Sequence, residues 1–431
     1  MRILVITRTA WRKDNSLGNT YSNLFGKLDN VEIGNIYLGD GLPDPDNYNV
    51  SSYYRISEKE IVKNLFNGKK IGEKLKQNEI DKQEKQIEER YNNVIMKIKK
   101  NRCSLFYLLR ELVWKIGHPN LDSMMEYVKG FQPDLIFVSF YYAAYVDRIA
   151  LYIKQRLNVP MVLEAAVDIY SLKQLSFDPF YWINRFYIRR MVRKTVNKAE
   201  KLYVISEKMQ MDYEKMLGIP CSVLYKFPDI TRKLYKYKEH DGDLNFLYTG
   251  NIGSGRWKTL GLIGSAVKEN GLGTLRIYTP TPLNQKMKEV LSDCAVLAPI
   301  SSNEVILEQN RADVLVHVES FNIADKLEVR YSISTKIMDY ISVARCILAV
   351  GPSDIASMQY LSKRGLAFLC YNRGAIDDMV RKLGDNRVMI KAQADHNEHY
   401  IDMIKNDNSQ IKFRDDMQRI VAEFNGKKIN A

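Results

Sequence analysis

Residues 244–280 contain the feature that most constrains the fold. An apolar strand pattern, "LNFLYTG", leads into a glycine-rich turn, "NIGSGR", and then into a helical pattern that ends at Gly271. A second strand pattern, "TLRIYTP", follows directly. Strand, glycine turn, helix and strand together make a βαβ unit, the building block of a parallel sheet. The sequence therefore predicts a doubly wound α/β domain in the second half of the chain.

Further short apolar segments predict more strands in both halves. In the first half they lie at residues 2–7, 133–140, 159–166 and 201–206, and in the second half at 294–300, 312–318, 345–351 and 366–371. Short apolar strands without clean alternation are typical of sheets buried on both faces. Because 431 residues suffice for two domains, we predict two Rossmann-like, doubly wound domains that face a cleft.

The predicted domain boundaries follow changes in composition. The first domain covers residues 1–225, the polar stretch 226–243 is a linker, and the second domain covers 244–405. The last segment, 406–431, is predicted to be a helix that packs back on the first domain. Residues 56–102 are rich in Lys, Glu, Gln and Asn and are interpreted as an exposed helical insertion that needs no specific role.

Charge and cysteine content narrow the class of protein. The formal net charge of +13 favours polyanionic partners, namely nucleic acid, anionic lipid or phosphorylated substrates. Nucleic acid is disfavoured because the chain has neither zinc-finger spacing nor an RNA-binding aromatic signature. The five cysteines form no CxxC pair, and the opening "MRILVITRTAW" predicts a strand rather than a secretory signal. We therefore expect a cytoplasmic protein.

The glycine turn is a candidate anion site. Its glycines allow close approach of the backbone, the following helix offers free amides, and two bases add charge. The residues of this turn are Gly250, Asn251, Gly253, Gly255, Arg256 and Lys258. A dinucleotide fingerprint would place an acid at the end of the next strand, where the chain has Tyr278 and Thr279, so a dehydrogenase is disfavoured. A plain glycine-rich turn with two surface bases is an equally good interpretation.

The stretch "YSISTKIMDYISVARCILAVGPSD" (331–354) is a second candidate anion site. It opens a predicted helix with Ser334, Thr335 and Lys336, and a lysine in the first turn opposes the helix dipole unless an anion lies nearby. At the carboxyl edge of a parallel sheet this turn would face the glycine turn, and the two together would bind a diphosphate. Asp339 could accept hydrogen bonds from a ribose. The alternative is a plain serine N-cap followed by a solvated lysine.

Several segments resemble a known family. "FLYTGNIGSGRWKTL", "SSNEVILEQNRADVLVHV" and "YSISTKIMDYISVARCILAVGP" resemble the donor half of bacterial GT-B glycosyltransferases, in particular the retaining enzymes of family four in surface-polysaccharide assembly. "VPMVLEAAVDIY" (159–170) is similar to a strand of their acceptor half. The resemblance implies an acceptor-side first domain and transfer of a sugar from a nucleotide-diphosphate donor. The acceptor would be lipid-linked or a saccharide, in capsular or other cell-envelope polysaccharide synthesis.

The resemblance also implies roles for particular residues. Those implied to bind the nucleotide-sugar are Gly18, Gly250, Asn251, Gly253, Arg256, Lys258, Ser334, Thr335, Lys336 and Asp339. Retaining chemistry of this kind is mostly electrostatic, so Arg256 and Lys336 are the catalytic candidates, with Asp168 on the acceptor side. Glu164 is better explained as a structural acid. We expect no metal and no cofactor, because the bases would do the work of a cation.

One position departs from the family pattern. The family's usual signature is a glutamate, seven residues and a second glutamate, and counting back from Asp339 places Tyr331 where the first glutamate is expected. Glu319 and Glu328 are nearby candidates for its role, and for each of them a surface acid is the better interpretation. The departure leaves the sugar contacts and the retaining or inverting outcome open.

Three rival interpretations stay open. A sugar-nucleotide 2-epimerase would use the same fold and a histidine, for which only His317 is well placed, although a satisfied core histidine explains it better. A basic membrane-docking protein with a degenerate nucleotide site is the alternative without catalysis. A metal-dependent GT-A transferase would need an Asp-x-Asp, but residues 44–46 and 241–243 are better explained as turns.

The basic excess concentrates in residues 182–199, which form a predicted helix with six bases and no acid. Aromatic rings among bases suit the headgroup region of an anionic membrane. The residues predicted to contact it are Trp182, Arg185, Phe186, Arg189, Arg190, Arg193 and Lys194. This predicts a peripheral protein on the inner face of the cell membrane. A solvated helix face is the alternative.

Overall fold

The computed structural model describes residues 1–12, 15–26, 28–45, 47, 49–76, 80, 104–228, 236–237, 239–405 and 409–429. The chain divides into two compact units. The first consists of Met1–Leu172, Ser176–Tyr225 and Ser409–Ala431, and the second of Lys173–Leu175 and Lys226–Asn408.

The first unit is built on an eight-stranded sheet in the order β4-β3-β2-β1-β5-β6-β7-β8. Its strands are β1 (Arg2–Thr7), β2 (Glu32–Tyr37), β3 (Val50–Arg55), β4 (Glu73–Lys74), β5 (Leu135–Ser139), β6 (Met161–Ala165), β7 (Lys201–Val204) and β8 (Cys221–Val223). Neighbouring strands are parallel except β4, which pairs antiparallel with β3 at the edge. Every residue of β5 and β6 is buried, as expected where helices cover both faces of a parallel sheet.

Seven helices of the first unit precede Lys226 in the described sequence. They are α1 (Ser16–Phe25), α2 (Glu58–Lys63), α3 (Ser104–Ile116), α4 (Leu121–Phe131), α5 (Ala144–Lys154), α6 (Pro179–Val196) and α7 (Glu207–Leu217). Side-chain caps fix several of their starts, such as Asp178, which accepts a hydrogen bond from the Phe180 amide ahead of Pro179 at the first position of α6.

The second unit is built on a six-stranded, all-parallel sheet in the order β11-β10-β9-β12-β13-β14. Its strands are β9 (Phe246–Thr249), β10 (Leu275–Tyr278), β11 (Cys294–Leu297), β12 (Val314–Val318), β13 (Cys346–Val350) and β14 (Phe368–Cys370). The chain order reverses between β9 and β12, and at such a switch point the carboxyl ends of two adjacent strands leave a crevice.

The helices of the second unit follow its strands. They are α8 (Arg256–Glu269), α9 (Gln285–Val290), α10 (Ser302–Arg311), α11 (Ile323–Val329), α12 (Thr335–Ser342), α13 (Ala356–Arg364), α14 (Ala375–Asp385) and α15 (Arg387–Lys405). The last helix, α16 (Ser409–Ile429), belongs to the first unit. Its Phe413 ring contacts Phe25 and Tyr203, and its Asp416 carboxylate lies 2.6 Å from Lys201 Nζ.

Residues 56–76 differ from the predicted insertion. They form α2 and β4, and four of their apolar side chains, Ile56, Ile61, Ile71 and Leu75, are buried in the first unit. The charge-rich composition did not indicate this burial, because these residues are widely spaced among polar ones. Most of the remainder of the predicted insertion, residues 77–79 and 81–102, lies outside the described residues.

Candidate functional site

Two glycines of the turn after β9 have a left-handed backbone and close neighbours, both of which disfavour any other residue. Gly250 has φ +116°, and a Cβ atom there would lie 3.1 Å from Lys336 Nζ. Gly255, the N-cap of α8, has φ +71°, and a Cβ atom there would lie 2.2 Å from Asp325 Oδ2. Because both positions combine a left-handed backbone with close neighbours, the turn brings its main chain directly against charged side chains.

Arg256, the first residue of α8, pairs with a buried glutamate. Its Nε and a terminal nitrogen lie 3.1 Å and 2.9 Å from Glu319 Oε2. Glu319 follows β12 directly and is 1% exposed, whereas the Arg256 side chain is 18% exposed. Burial raises the pKa of the Glu319 carboxyl, and the charge of Arg256 opposes this. The interpretation of Glu319 as a surface acid was therefore wrong.

Lys336 points back from the first turn of α12 to the end of β9. Its Nζ donates a hydrogen bond to the Tyr248 hydroxyl at 2.5 Å and lies 4.1 Å from the centre of the Tyr248 ring. Burial and the nearby charge of Arg256 lower the pKa of Lys336 to about 7. An anion that enters beside Lys336 would favour its charged form and offset the opposed helix dipole.

His317 lies in β12, below these charges. It is 3% exposed, and burial followed by the charges of Lys336 and Arg256 lowers its pKa to about 3, so the imidazole is neutral. Its Nε2 lies 3.7 Å from Glu319 Oε1 and has no hydrogen-bond partner among the described residues. The expected satisfied core histidine is therefore buried but incompletely hydrogen-bonded.

The other predicted members of the diphosphate site have different surroundings. Lys258 is exposed, with its Nζ 5.4 Å from the centre of the Trp257 ring. The Asn251 side chain accepts a hydrogen bond from the Gly253 amide within its own loop. The structure thus brings Gly250, Arg256 and Lys336 together and places Lys258 outside this group.

The residues at the start of α12 fit the predicted diphosphate site in some respects and the plain serine N-cap in others. Ser334 is its N-cap residue, but its side chain makes no capping hydrogen bond, and Thr335 is exposed. The Asp339 carboxylate lies 3.0 Å from Lys226 Nζ. Tyr331, at the place of the expected glutamate, is 1% exposed and lies under the guanidinium of Arg330, while Glu328 is exposed.

Asp168, the acceptor-side catalytic candidate, is held in a dense network of the first unit. It accepts hydrogen bonds from the Ser171 amide at 2.9 Å and the Tyr213 hydroxyl at 3.0 Å, and lies 3.2 Å from a nitrogen of Arg185. Burial raises its pKa, but the charge of Arg185 and these hydrogen bonds lower it overall. A carboxylate with these contacts fixes the chain after β6 rather than facing a substrate.

Arg185 is therefore not a membrane contact. Its side chain is 1% exposed and donates hydrogen bonds to the Ser171 and Asp168 carbonyl oxygens and to the Tyr142 hydroxyl. The prediction failed because the helical face that carries Arg185 is buried by polar partners, which a count of apolar residues does not reveal.

The remaining predicted membrane contacts on α6 are of two kinds: some bond other residues of the first unit, and the others are exposed. Tyr170 is held by Arg193, which donates to its hydroxyl at 3.0 Å, and by Arg189, whose guanidinium lies 4.1 Å from its ring centre. Trp182 is half-buried and donates to the Ser176 carbonyl oxygen. The exposed members with side chains directed outward are Phe186, Arg190 and Lys194.

Gly18 and Glu164 have local structural roles. Gly18 lies inside α1, where its amide donates to the Asn15 side chain at 2.7 Å and a Cβ atom would lie 2.0 Å from the Arg12 carbonyl oxygen. Glu164 is buried and accepts a hydrogen bond from the Tyr21 hydroxyl at 2.7 Å, and burial raises the pKa of its carboxyl. These contacts explain both residues without a ligand.

Sequence reasoning missed Tyr248. Its hydroxyl accepts from Lys336 and donates to the Asn251 carbonyl oxygen at 2.5 Å, so it links the two halves of the site. Its position two residues before Gly250, at the carboxyl end of a strand, was the available signal.

Among the described residues, no group of three or more His, Cys, Asp or Glu is arranged to hold a metal ion. In the same part of the chain, no helix is long and apolar enough to cross a membrane.

Solved structures with the same fold are numerous. Sucrose-phosphate synthase from Thermosynechococcus elongatus aligns with a TM-score of 0.62 and 8% identity over 98% of this chain and 99% of that one. Anabaena HepE in complex with UDP aligns at 0.59 and 12% over 96% and 99%. A trehalose-6-phosphate structure from E. coli bound with UDP-2-fluoro glucose aligns at 0.57 and 10% over 96% and 98%. No protein-family model and no curated protein matches the chain.

These structural neighbours are GT-B glycosyltransferases. The chain has their fold, two Rossmann-like domains each built on a parallel sheet, so the predicted fold class is confirmed. At identities of 8–12% the likeness establishes the fold.

Proposed function

We propose that the protein is a glycosyltransferase whose second unit binds the diphosphate of a nucleotide-sugar donor. The observation that carries this is the meeting of Arg256 and Lys336 at Gly250, where a left-handed glycine brings the backbone against the lysine. Both bases lie where the chain order of a parallel sheet reverses, the usual ligand position in such folds. Two GT-B neighbours of the chain contain UDP or a UDP-sugar analogue.

In this function the two bases stabilise the leaving diphosphate. Negative charge grows on the diphosphate as its bond to the sugar breaks, and fixed positive groups in a partly buried site stabilise that charge. Glu319 holds the Arg256 guanidinium in place through a single oxygen, which leaves the outer side of the guanidinium available to phosphate oxygens. Lys336 supplies the second charge when it is protonated.

The finer assignment concerns donor, acceptor and location. The donor carries a hexose, no metal is needed because the two bases neutralise the diphosphate, and the acceptor is a lipid-linked or other saccharide in cell-envelope polysaccharide synthesis. The protein works on the inner face of the cell membrane, where exposed bases of α6, Arg190 and Lys194, meet anionic lipid. The support for this location is the absence of acidic residues from α6.

A 2-epimerase is the second candidate function, favoured by one observation. His317 is buried beside Glu319, and its Nε2 has no hydrogen-bond partner among the described residues, which leaves that atom available to a ligand. What happens to the nucleotide-sugar in the absence of an acceptor distinguishes the two functions. An epimerase interconverts its nucleotide-sugar without an acceptor, whereas a transferase hydrolyses it slowly or passes it on.

Calorimetry with UDP and GDP, in the presence of a chelator, tests the donor site. We expect the wild type to bind one of the two nucleotides and R256M to bind it more weakly. The control is R276M, which replaces an arginine that pairs with Glu308 elsewhere in the same unit. Its nucleotide affinity should equal that of the wild type. No heat from either nucleotide would contradict the proposal. A screen of nucleotide-sugars for hydrolysis or epimerisation, read by chromatography, then separates the two functions.

Vesicle sedimentation tests the membrane location. Binding should require anionic lipid, weaken with salt and fall in R190Q/K194Q, while K268Q/K288Q, which removes two exposed bases of the second unit, leaves it unchanged. Equal binding to neutral vesicles would contradict the electrostatic attraction.

A further inference from the structure

Helix α3 is apolar on the outside. Its buried residues are Ser104, Glu111 and Trp114, whereas its exposed side chains, apart from Lys115, are hydrophobic. The outer stripe consists of Leu105, Leu109, Leu112 and Ile116, which are 37%, 47%, 51% and 47% exposed. Their spacing of four, three and four residues places them along one face of the helix. A surface helix ordinarily has the opposite arrangement.

Polar contacts fix this orientation. Glu111 pairs with Arg148 at 3.0 Å, and Arg110 donates to the Tyr142 carbonyl oxygen at 2.7 Å. Trp114 donates to Glu58 at 3.0 Å and stacks on the Tyr145 ring at 4.2 Å. Rotation of α3 to bury its leucines would break these bonds and expose the tryptophan. The apolar stripe is therefore a fixed feature of the first unit.

The first half of α6 extends the apolar surface. Ser104 at the start of α3 bonds Asp178 at the start of α6, and Arg148 bridges Glu111 to Tyr187 farther along both helices. The two helices therefore run side by side in the same direction. The exposed apolar residues of α6 are Phe180, Ile183 and Phe186, at 42%, 54% and 56%.

The exposed charges on both helices have one sign. The exposed charged residues are Lys115 on α3 and Arg190, Arg193 and Lys194 on α6, and Arg193 also bonds the Tyr170 hydroxyl. The single acid of the two helices, Glu111, is buried. On α6 the exposed apolar residues come first and the exposed bases follow, whereas on α3 the apolar stripe runs the length of the helix and Lys115 lies near its end.

We infer that the α3 stripe inserts into the interface of an anionic bilayer, together with the exposed aromatic residues of α6. This rests on the membrane location in the proposed function and adds the surface that enters the lipid. Apolar side chains beside bases suit the boundary between acyl chains and anionic headgroups. A second copy of the chain fits less well, because a face-to-face pair would bring the bases of the two copies together.

The test uses the whole protein and vesicles of neutral phospholipid with about a third anionic phospholipid, a composition that attracts bases. The variant L105Q/L109Q/L112Q removes the stripe and keeps good helix formers. The control L262Q/L297Q/L307Q replaces three exposed leucines of the second unit. Thermal melting and light scattering check fold and oligomeric state of both.

At high salt, where attraction of bases to lipid is weakened but not abolished, the wild type and the control should retain part of their binding to these vesicles. The α3 variant should bind about tenfold less or weaker still, because it loses the buried apolar area. If the α3 variant bound vesicles as well as the wild type while R190Q/K194Q lost binding, the inference that the stripe inserts would be wrong. The proposed electrostatic attraction of α6 to anionic lipid would then still hold. No vesicle binding by the wild type would overturn both and leave the nucleotide calorimetry unaffected. A wild-type dimer that the α3 variant abolishes, with vesicle binding unchanged, would show that copies of the chain cover this face.

Discussion

Each unit contains an arginine paired with a buried carboxylate, and the two pairs differ in how completely they are hydrogen-bonded. In the first unit Arg185 and Asp168 are surrounded by donors and acceptors from Ser171, Tyr142 and Tyr213. In the second unit the Arg256 guanidinium contacts one oxygen of Glu319 and is partly exposed. A saturated pair stabilises a fold, whereas an unsaturated pair beside a glycine turn can bind a ligand.

The pKa shifts of the two carboxyls have opposite signs. In Asp168 the charge and hydrogen bonds outweigh burial and lower the pKa, whereas in Glu319 burial outweighs Arg256 and raises it. Glu319 can therefore take up a proton at a moderate cost if its arginine turns to another anion. Asp168 cannot do so without the loss of several hydrogen bonds. This is the difference we expect between an ion pair that stabilises the fold and one that binds a ligand.

The largest effect is expected from R185M. Removal of one partner leaves Asp168 charged and buried, which typically costs about 3–5 kcal/mol of the free energy of unfolding. Hydrogen exchange of the amides in β5 and β6 measures this in the first unit, and calorimetry should show nearly unchanged nucleotide affinity in the folded protein. A loss below about 1 kcal/mol would show that the network is not structural.

R256M should have the reverse pattern. Loss of a charged hydrogen bond to the diphosphate costs about 1.5–3 kcal/mol, or roughly 10- to 150-fold in nucleotide affinity. The stability of the second unit should fall less than that of the first unit in R185M, because Glu319 already has a raised pKa and can be neutralised. Calorimetry measures the nucleotide affinity, and hydrogen exchange of the β12 amides measures the stability of the second unit. Unchanged affinity with a large loss of stability would assign Arg256 to the fold alone.

Sequence patterns predicted the fold better than the site. The βαβ repeat is a local pattern, so the parallel sheets follow from it, but β2 was missed because Gly34 and Asn35 interrupt its apolar run. Asn35 is buried and donates to the Val5 carbonyl oxygen, a contact that depends on the neighbouring strand. In the same way, the burial of Glu319 and Arg185 depends on partners distant in sequence, and neither residue type indicates burial by itself.

A pH dependence should distinguish the lysine of the site from the arginine. The pKa of Lys336 is about 7 in the nucleotide-free protein, and a bound diphosphate raises it. Above pH 7 binding therefore requires proton uptake, and affinity should fall by up to about tenfold per pH unit. Calorimetry between pH 7 and 9, where a terminal phosphate with a pKa of about 6 is already ionised, should show this slope. K336Q should bind the nucleotide more weakly at pH 7, and its affinity should not fall as the pH rises. If the affinity of K336Q fell with pH as steeply as that of the wild type, the proton taken up on binding would belong to another group.

The smallest effect is expected from K258Q. Lys258 was predicted to converge with Arg256 and Lys336, but its side chain is exposed and lies beside Trp257. An exposed charge is screened by solvent and salt, so its loss should cost at most about 1 kcal/mol, which is a fivefold change in nucleotide affinity at low salt and less at high salt. Titrations of K258Q and K336Q at two salt concentrations measure the difference. If K258Q lost as much affinity as K336Q at both concentrations, the diphosphate would extend along the outer side of α8, and the pairing with Glu319 would no longer mark the centre of the site.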